Sequence, residues 1–147
     1  MLKRIALLLA AVSVLACASA AMAASEEWAG RFDEGGAVAF KLTIPAKGEQ
    51  RKVKAWKWSD FKIRCRNGKH RYDGEFTTAV KPVAVDPTLR QFKIKAVNSW
   101  GGKAVVNGTF DEAYASAVGT FKVRGRTAVG RRCRGESGWV ANGPPAG

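Results

Sequence analysis

The side chains best placed to do chemistry in this chain are its cysteines and its cations. Cysteine occurs at 17, 65 and 133. Cys17 sits inside a leader-like segment, which leaves Cys65 and Cys133 as one candidate disulfide in an exported chain. Closing so long a loop would stabilise the fold by roughly 4 kcal/mol in the chain-entropy account. The cations fall in two runs. Residues 47–71 hold ten Lys or Arg against Glu49 and Asp60, and residues 122–134 hold six with no acid. Such runs attract polyanions without regard to sequence, and arginine suits bidentate contacts with phosphate, sulfate or carboxylate. Bonded cysteines have Cα atoms about 4–7 Å apart. A Cys65–Cys133 bond would therefore set Arg64, Arg66 and Lys69 beside Arg131, Arg132 and Arg134 as one candidate anion-binding patch. The competing reading is that Lys and Arg fill outward strand positions for solubility alone.

Other chemistries have less to work with. The single histidine, His70, stands between Lys69 and Arg71, where neighbouring cations disfavour its protonated form. It reads as an exposed turn residue rather than a triad base. Asp73 with Glu75, and Asp111 with Glu112, are the carboxylate pairs a hydrolase would need, but both lie beside turns, where acids are ordinarily solvated. The two late cysteines and His70 lack the close ligand pairs of a zinc site. No phosphate loop, dinucleotide fingerprint or calcium loop is present. The sequence thus implies no catalytic residue, no metal and no cofactor.

The chain begins with the marks of a secretory leader: Lys3 and Arg4, an apolar run over 5–16, and Ala21-Met22-Ala23 as an A-x-A cleavage site. Cleavage after Ala23 is expected, with 1–23 removed and 24–147 forming one domain, its ordered core about 28–141. Ala18-Ser19-Ala20 is a second candidate site. Two other readings stand beside this one: a lipoprotein anchored through Cys17, since Val14-Leu15-Ala16-Cys17 resembles a lipobox, and an uncut membrane anchor. Of 25 basic and 12 acidic residues, two basic ones lie in the leader, so the exported part carries 23 against 12, a net charge of +11. The expected location is secreted or periplasmic, with no transmembrane anchor after cleavage.

In the part expected to be exported, period-two alternation marks strands over 26–32, 37–44, 53–65, 91–97, 104–110, 117–124 and 133–141, with a further strand over 72–80. Turn signals separate them: Asp33-Glu34-Gly35-Gly36, the Asn-Gly step in Arg66-Asn67-Gly68-Lys69, and Gly101-Gly102. Two prolines make 82–88 an irregular or edge segment, and 125–132 reads as a basic, glycine-containing loop. About eight short strands without helical periodicity predict an all-β fold, a single antiparallel β-sandwich or flattened barrel with one disulfide.

The stretch 53–65, VKAWKWSDFKIRC, is the central strand, and its parity slips twice. A strict strand would turn Trp56 and Trp58 outward and bury Lys57, which is costly for an unpaired ammonium. Bulges at Lys54–Ala55 and Ser59–Asp60 instead put Val53, Trp56, Trp58, Phe61, Ile63 and Cys65 inside. The second arrangement is the expected one, with Trp56 and Trp58 as core aromatics.

The order W-x-G-x-F, V-x-F-x-L, V-x-x-W-x-W-x-x-F-x-I-x-C with a following N-G, then F-x-I, V-x-G-x-F and A-x-G-T-F-x-V, with a late cysteine ahead of a tryptophan, resembles small secreted bacterial β-sandwich proteins of unknown function. Their C-x-S-G segment appears here with an insertion, Cys133 to Trp139. The resemblance implies a fold and brings no catalytic residues. The function expected from the residues is a non-enzymatic cell-envelope module, monomeric, binding anionic cell-envelope polymers or acidic polysaccharide through its basic patch, with no sequence-specific nucleic acid recognition. The alternatives are a carrier of a small apolar ligand in a tryptophan-lined barrel and a carboxylate-dependent hydrolase.

Overall fold

The computed structural model describes residues 24–76 and 81–145. Residues 1–23, expected to be a cleaved leader and including Cys17, the end of the strand expected over 72–80, and 146–147 lie outside the described residues. Nine strands occur among the described residues and none of those residues is helical: β1 Ser25–Phe32, β2 Ala37–Thr43, β3 Lys52–Cys65, β4 Gly68–Glu75, β5 Val83–Ala84, β6 Gln91–Val97, β7 Lys103–Phe110, β8 Ser116–Thr127 and β9 Gly130–Asn142. They form one antiparallel sheet in the order β4-β3-β2-β1-β9-β8-β7-β6, with β5 on β3. The two outer strands of that order approach each other, as Phe76 bridges Asn98 and the Ser99 amide donates to the Glu75 carbonyl at 3.0 Å.

The alternation that marked the strands also builds the core. In β7 Ala104, Val106 and Phe110 are buried, in β8 Ala117, Phe121 and Val123, and in β9 Cys133, Trp139 and Ala141. The inner side chains are largely aromatic and pack ring on ring. Phe40 stacks on Trp28 and on Trp56, with centroids 5.6 and 5.2 Å apart, and Trp139 meets Trp56 edge-on at 5.1 Å.

β3 carries both expected irregularities. Ala55 and Asp60 have φ of 56° and 53°, and the pairing register shifts beside each. Val53, Trp56, Trp58, Phe61, Ile63 and Cys65 are all buried, while Lys57, Lys62 and Arg64 are exposed. Aspartate tolerates this left-handed backbone better than most residues, and β4 holds it in place. Asp73 accepts from the Asp60 amide at 2.8 Å, and Arg71 donates to the Asp60 carbonyl at 3.0 Å.

The Asn-Gly hairpin expected after Cys65 is present, and one expected loop is strand instead. Cys65 pairs with Gly68, so the β3–β4 connection is only Arg66-Asn67, and β4 starts four residues before the expected Tyr72. His70 is accordingly a half-buried strand residue whose Nε2 lies 3.0 Å from the Asn67 side-chain oxygen, not a turn residue. Likewise 125–132 is no open loop: Thr127 pairs with Gly130, and β8 and β9 run on to a two-residue connection. Glycine and charge mark 125–132 as a loop in the sequence, but tight hairpins need the same residues. The ninth strand, β5, is two residues long and falls in the segment expected to be irregular or edge.

Candidate functional site: a cationic row across a stapled seam

The site begins with a wedge. The β1–β2 hairpin lies between β3 and β9, and it stops at Asp33–Gly36. There the Asp33 amide donates to the Gly138 carbonyl at 3.1 Å, and Gly36, with φ of 91°, sits so close to β3 that a Cβ would lie 2.5 Å from the Asp60 carbonyl oxygen. Beyond the wedge β3 and β9 meet directly. Gly135 makes this approach possible, because a Cβ there would lie 2.8 Å from the Lys62 carbonyl oxygen and 2.7 Å from the Phe61 ring. Arg64 pairs in register with Arg134. One residue further in, Cys65 and Cys133 are bonded and buried. The Thr127 hydroxyl lies 3.4 Å from the Cys133 sulfur.

Because Cys65 and Cys133 face inward, Arg64 and Arg134 face out, and register carries the row further. Arg64 is opposite Lys69 on β4, Arg134 is opposite Arg124 on β8, and Arg124 is opposite Lys103 on β7. Lys69, Arg64, Arg134, Arg124 and Lys103 therefore cross five neighbouring strands, all exposed. At the usual strand spacing the row spans about 19 Å, curved by the twist of the sheet. Like charges directly opposite destabilise a sheet, and none of the five has a carboxylate partner among the described residues.

Shallow grooves run along both sides of the central pair. One, of about 400 Å³, is lined by Arg64, Arg134, Arg124, Lys122 and Glu136. The other, of about 210 Å³, is lined by Arg64, Arg134, Lys69, Lys62, Glu34 and Glu136. Of the six residues the sequence singled out for anion binding, the structure brings Arg64, Lys69 and Arg134 together here. Arg66 lies in the β3–β4 connection, and Arg131 and Arg132 lie near the β8–β9 tip, Arg132 at a bulge with φ of 53°. These three are exposed but line neither groove. Sequence reasoning missed Arg124 and Lys103 as members of the site. Arg124 stood in the second basic run, but nothing in the sequence aligned it with Arg134.

The other candidates are occupied by structural contacts. Trp56 and Trp58 are 1% and 3% exposed, and Trp58 packs on Tyr72, Phe76 and Phe121. Burial pushes the Tyr72 hydroxyl well above its ordinary value. Asp73 holds the Asp60 bulge, and Glu75 lies 3.8 Å from Lys57. Asp111 accepts from the Ala115 amide at 2.8 Å and from the Ser116 hydroxyl at 3.0 Å, and the backbone contact with Ala115 foremost holds its carboxyl below the usual carboxylate range. Among the described residues no three His, Cys, Asp or Glu side chains gather as metal ligands, and no helix is long and apolar enough to cross a membrane.

No described protein family, characterised protein or solved structure matches this chain.

Proposed function

We propose that the protein is a secreted or periplasmic binding module that holds linear acidic polysaccharide against its cationic row. The observation that carries this reading is the registered line of Lys69, Arg64, Arg134, Arg124 and Lys103 without acid partners among the described residues. A sheet that places like charges opposite one another loses stability unless an anion joins them. A chain with a carboxylate, sulfate or phosphate on successive sugars would meet them one after another. The disulfide suits an oxidising compartment, where such polymers are found. Single-stranded nucleic acid is the less favoured polyanion, because its binding sites add aromatic stacking to charge, and the residues lining both grooves include no aromatic ring.

The test is titration with heparin as a model acidic polysaccharide over a range of salt concentrations, with single-stranded DNA of equal charge as competitor. Affinity should fall steeply with salt through counterion release and screening, and heparin should win the competition. A triple variant, Lys103→Gln, Arg124→Gln and Arg134→Gln, should show a shallower salt dependence. A salt dependence equal to wild type in that variant would remove the row as the site, and preference for the DNA would replace polysaccharide as the ligand.

A further inference from the structure

The row is assembled from two separate pieces of the chain. The β3–β4 hairpin supplies Arg64 and Lys69, and the β7-β8-β9 meander supplies Lys103, Arg124 and Arg134. Beyond the β1–β2 wedge each piece is paired internally, and the two share one registered pair, Arg64 with Arg134. That pair is itself repulsive. The Cys65–Cys133 bond lies directly beneath it, joined to the adjacent residue on each strand.

We propose that the disulfide is a redox latch on the anion site. Oxidised, it holds the hairpin and the meander together against their charge and keeps the row continuous. Reduced, it releases them, and the row divides between Arg64 and Arg134. This rests on the polysaccharide-binding reading above and adds its regulation. The chemistry is thiol–disulfide exchange with a dithiol as reductant. A reductant thiolate attacks one cysteine sulfur, the Cys65–Cys133 bond breaks, and the other cysteine leaves as a thiolate that takes a proton. The reductant's second thiol then displaces the first cysteine. Two electrons have passed to Cys65 and Cys133, both now thiols, and the reductant ends as a disulfide.

The coupling must run both ways. Cys65 and Cys133 are 6% and 2% exposed, so a reductant reaches them only when the seam opens. A polymer that contacts Arg64 and Arg134 together binds the closed seam better than the open one. By linkage it opposes opening by the same factor that the latch adds to its affinity.

The experiment uses the exported protein in dithiothreitol and follows thiol appearance at Cys65 and Cys133 by alkylation and peptide mapping. Heparin should slow the reaction by about fivefold or more, the lower range of ordinary coupling. The protection should vanish in 1 M NaCl, where the screening length is only about 3 Å. A sulfated monosaccharide at equal charge concentration should protect little, since it cannot span the seam. Equal rates with and without heparin, or equal protection by the monosaccharide, would overturn the latch. In a second arm, the Cys65→Ser, Cys133→Ser variant should elute from heparin at lower salt than wild type, and unchanged elution would also overturn it. Should that variant fail to fold, the protection measurement on the wild type decides alone. Oxidised Arg64→Gln, Arg134→Gln protein separates the two ideas. Wild-type elution by that protein would sink the binding site itself, whereas weakened elution of that protein, together with no heparin protection of the wild type, would sink only the latch.

Discussion

Two rows of outward side chains cross the same face of the sheet two residues apart, and they are built on opposite principles. The seam row, Lys69, Arg64, Arg134, Arg124 and Lys103, has no acid partner among the described residues. In the next row Arg71 pairs with Asp60 at 3.4 Å, Lys62 with Glu34 at 3.3 Å, and Lys122 with Glu136 at 3.0 Å. Both rows belong to a strongly basic chain, so net charge alone does not separate them. What separates them is that acids were placed in one and not the other. Exposed ion pairs add little stability, typically under about 1 kcal/mol, so the second row gains modestly from its partners. The first row forgoes even that gain. The neutralised row carries its acids on neighbouring strands and in the β1–β2 turn. The bare row departs from it where the disulfide closes the seam.

The largest expected effect would break the comparison by removing the body that sets both registers. Trp56 is packed between Phe40, Trp139 and Phe121, and Trp56→Ala should lower stability by about 3–5 kcal/mol. Urea unfolding of the oxidised protein measures this. A loss under about 0.5 kcal/mol, against that range, would mean that the ring adds little to the core.

Next in size is the direct contrast between rows. Arg64→Gln with Arg134→Gln should weaken heparin binding by at least about tenfold, given the strength of charge-assisted hydrogen bonds. Lys62→Gln with Lys122→Gln removes the same formal charge from the neutralised row and should weaken it far less. Equal losses in the two double variants, measured by calorimetry at one salt concentration, would show that only net charge matters.

A smaller effect should appear when the second row is made to resemble the first. Glu34→Gln with Glu136→Gln frees Lys62 and Lys122, which line the same grooves. Heparin should bind about two- to fivefold more tightly, in line with the small worth of surface pairs. Unchanged or weaker binding would exclude the grooves as the path of the polymer.

The smallest effect concerns stability alone. Arg134 stands between Arg64 and Arg124, so Arg134→Gln should stabilise the unliganded protein by about 0.2–1 kcal/mol through relief of like-charge opposition. A clear loss in denaturant midpoint would show that the arginine stem packs on the seam strongly enough to outweigh the repulsion.

The sequence alone determined which side chains of β3 point inward. Alternation has period two, and burying Lys57 was too costly to keep the strand regular. The two parity slips thus located bulges at Ala55 and Asp60 without any tertiary information. It also pointed to Cys65 and Cys133 as the bonded pair, on the expectation that Cys17 belongs to a leader, and the structure bonds them. These conclusions were legible because each depends on residues close together in the chain or on a count. The Asn-Gly step likewise marked the β3–β4 hairpin, but the extension of β8 and β9 to their tip was not legible, since glycine and charge serve loops and tight hairpins alike.

Only the tertiary structure decided the site. Arg124 and Lys103 join Arg64, Arg134 and Lys69 because β3 meets β9 beyond a wedge that ends at Gly36, and because the β3–β4, β7–β8 and β8–β9 pairings each fix a register. A one-residue slip in any of these registers would turn the slipped strand's side chains to the other face. The same registers bring Glu136 opposite Lys122, and the wedge brings Glu34 to Lys62, so that one row is neutralised and its neighbour is left bare. Charge composition sets how many cations the surface holds. Cross-strand register, a long-range property, decides which of them stand side by side without an acid between them.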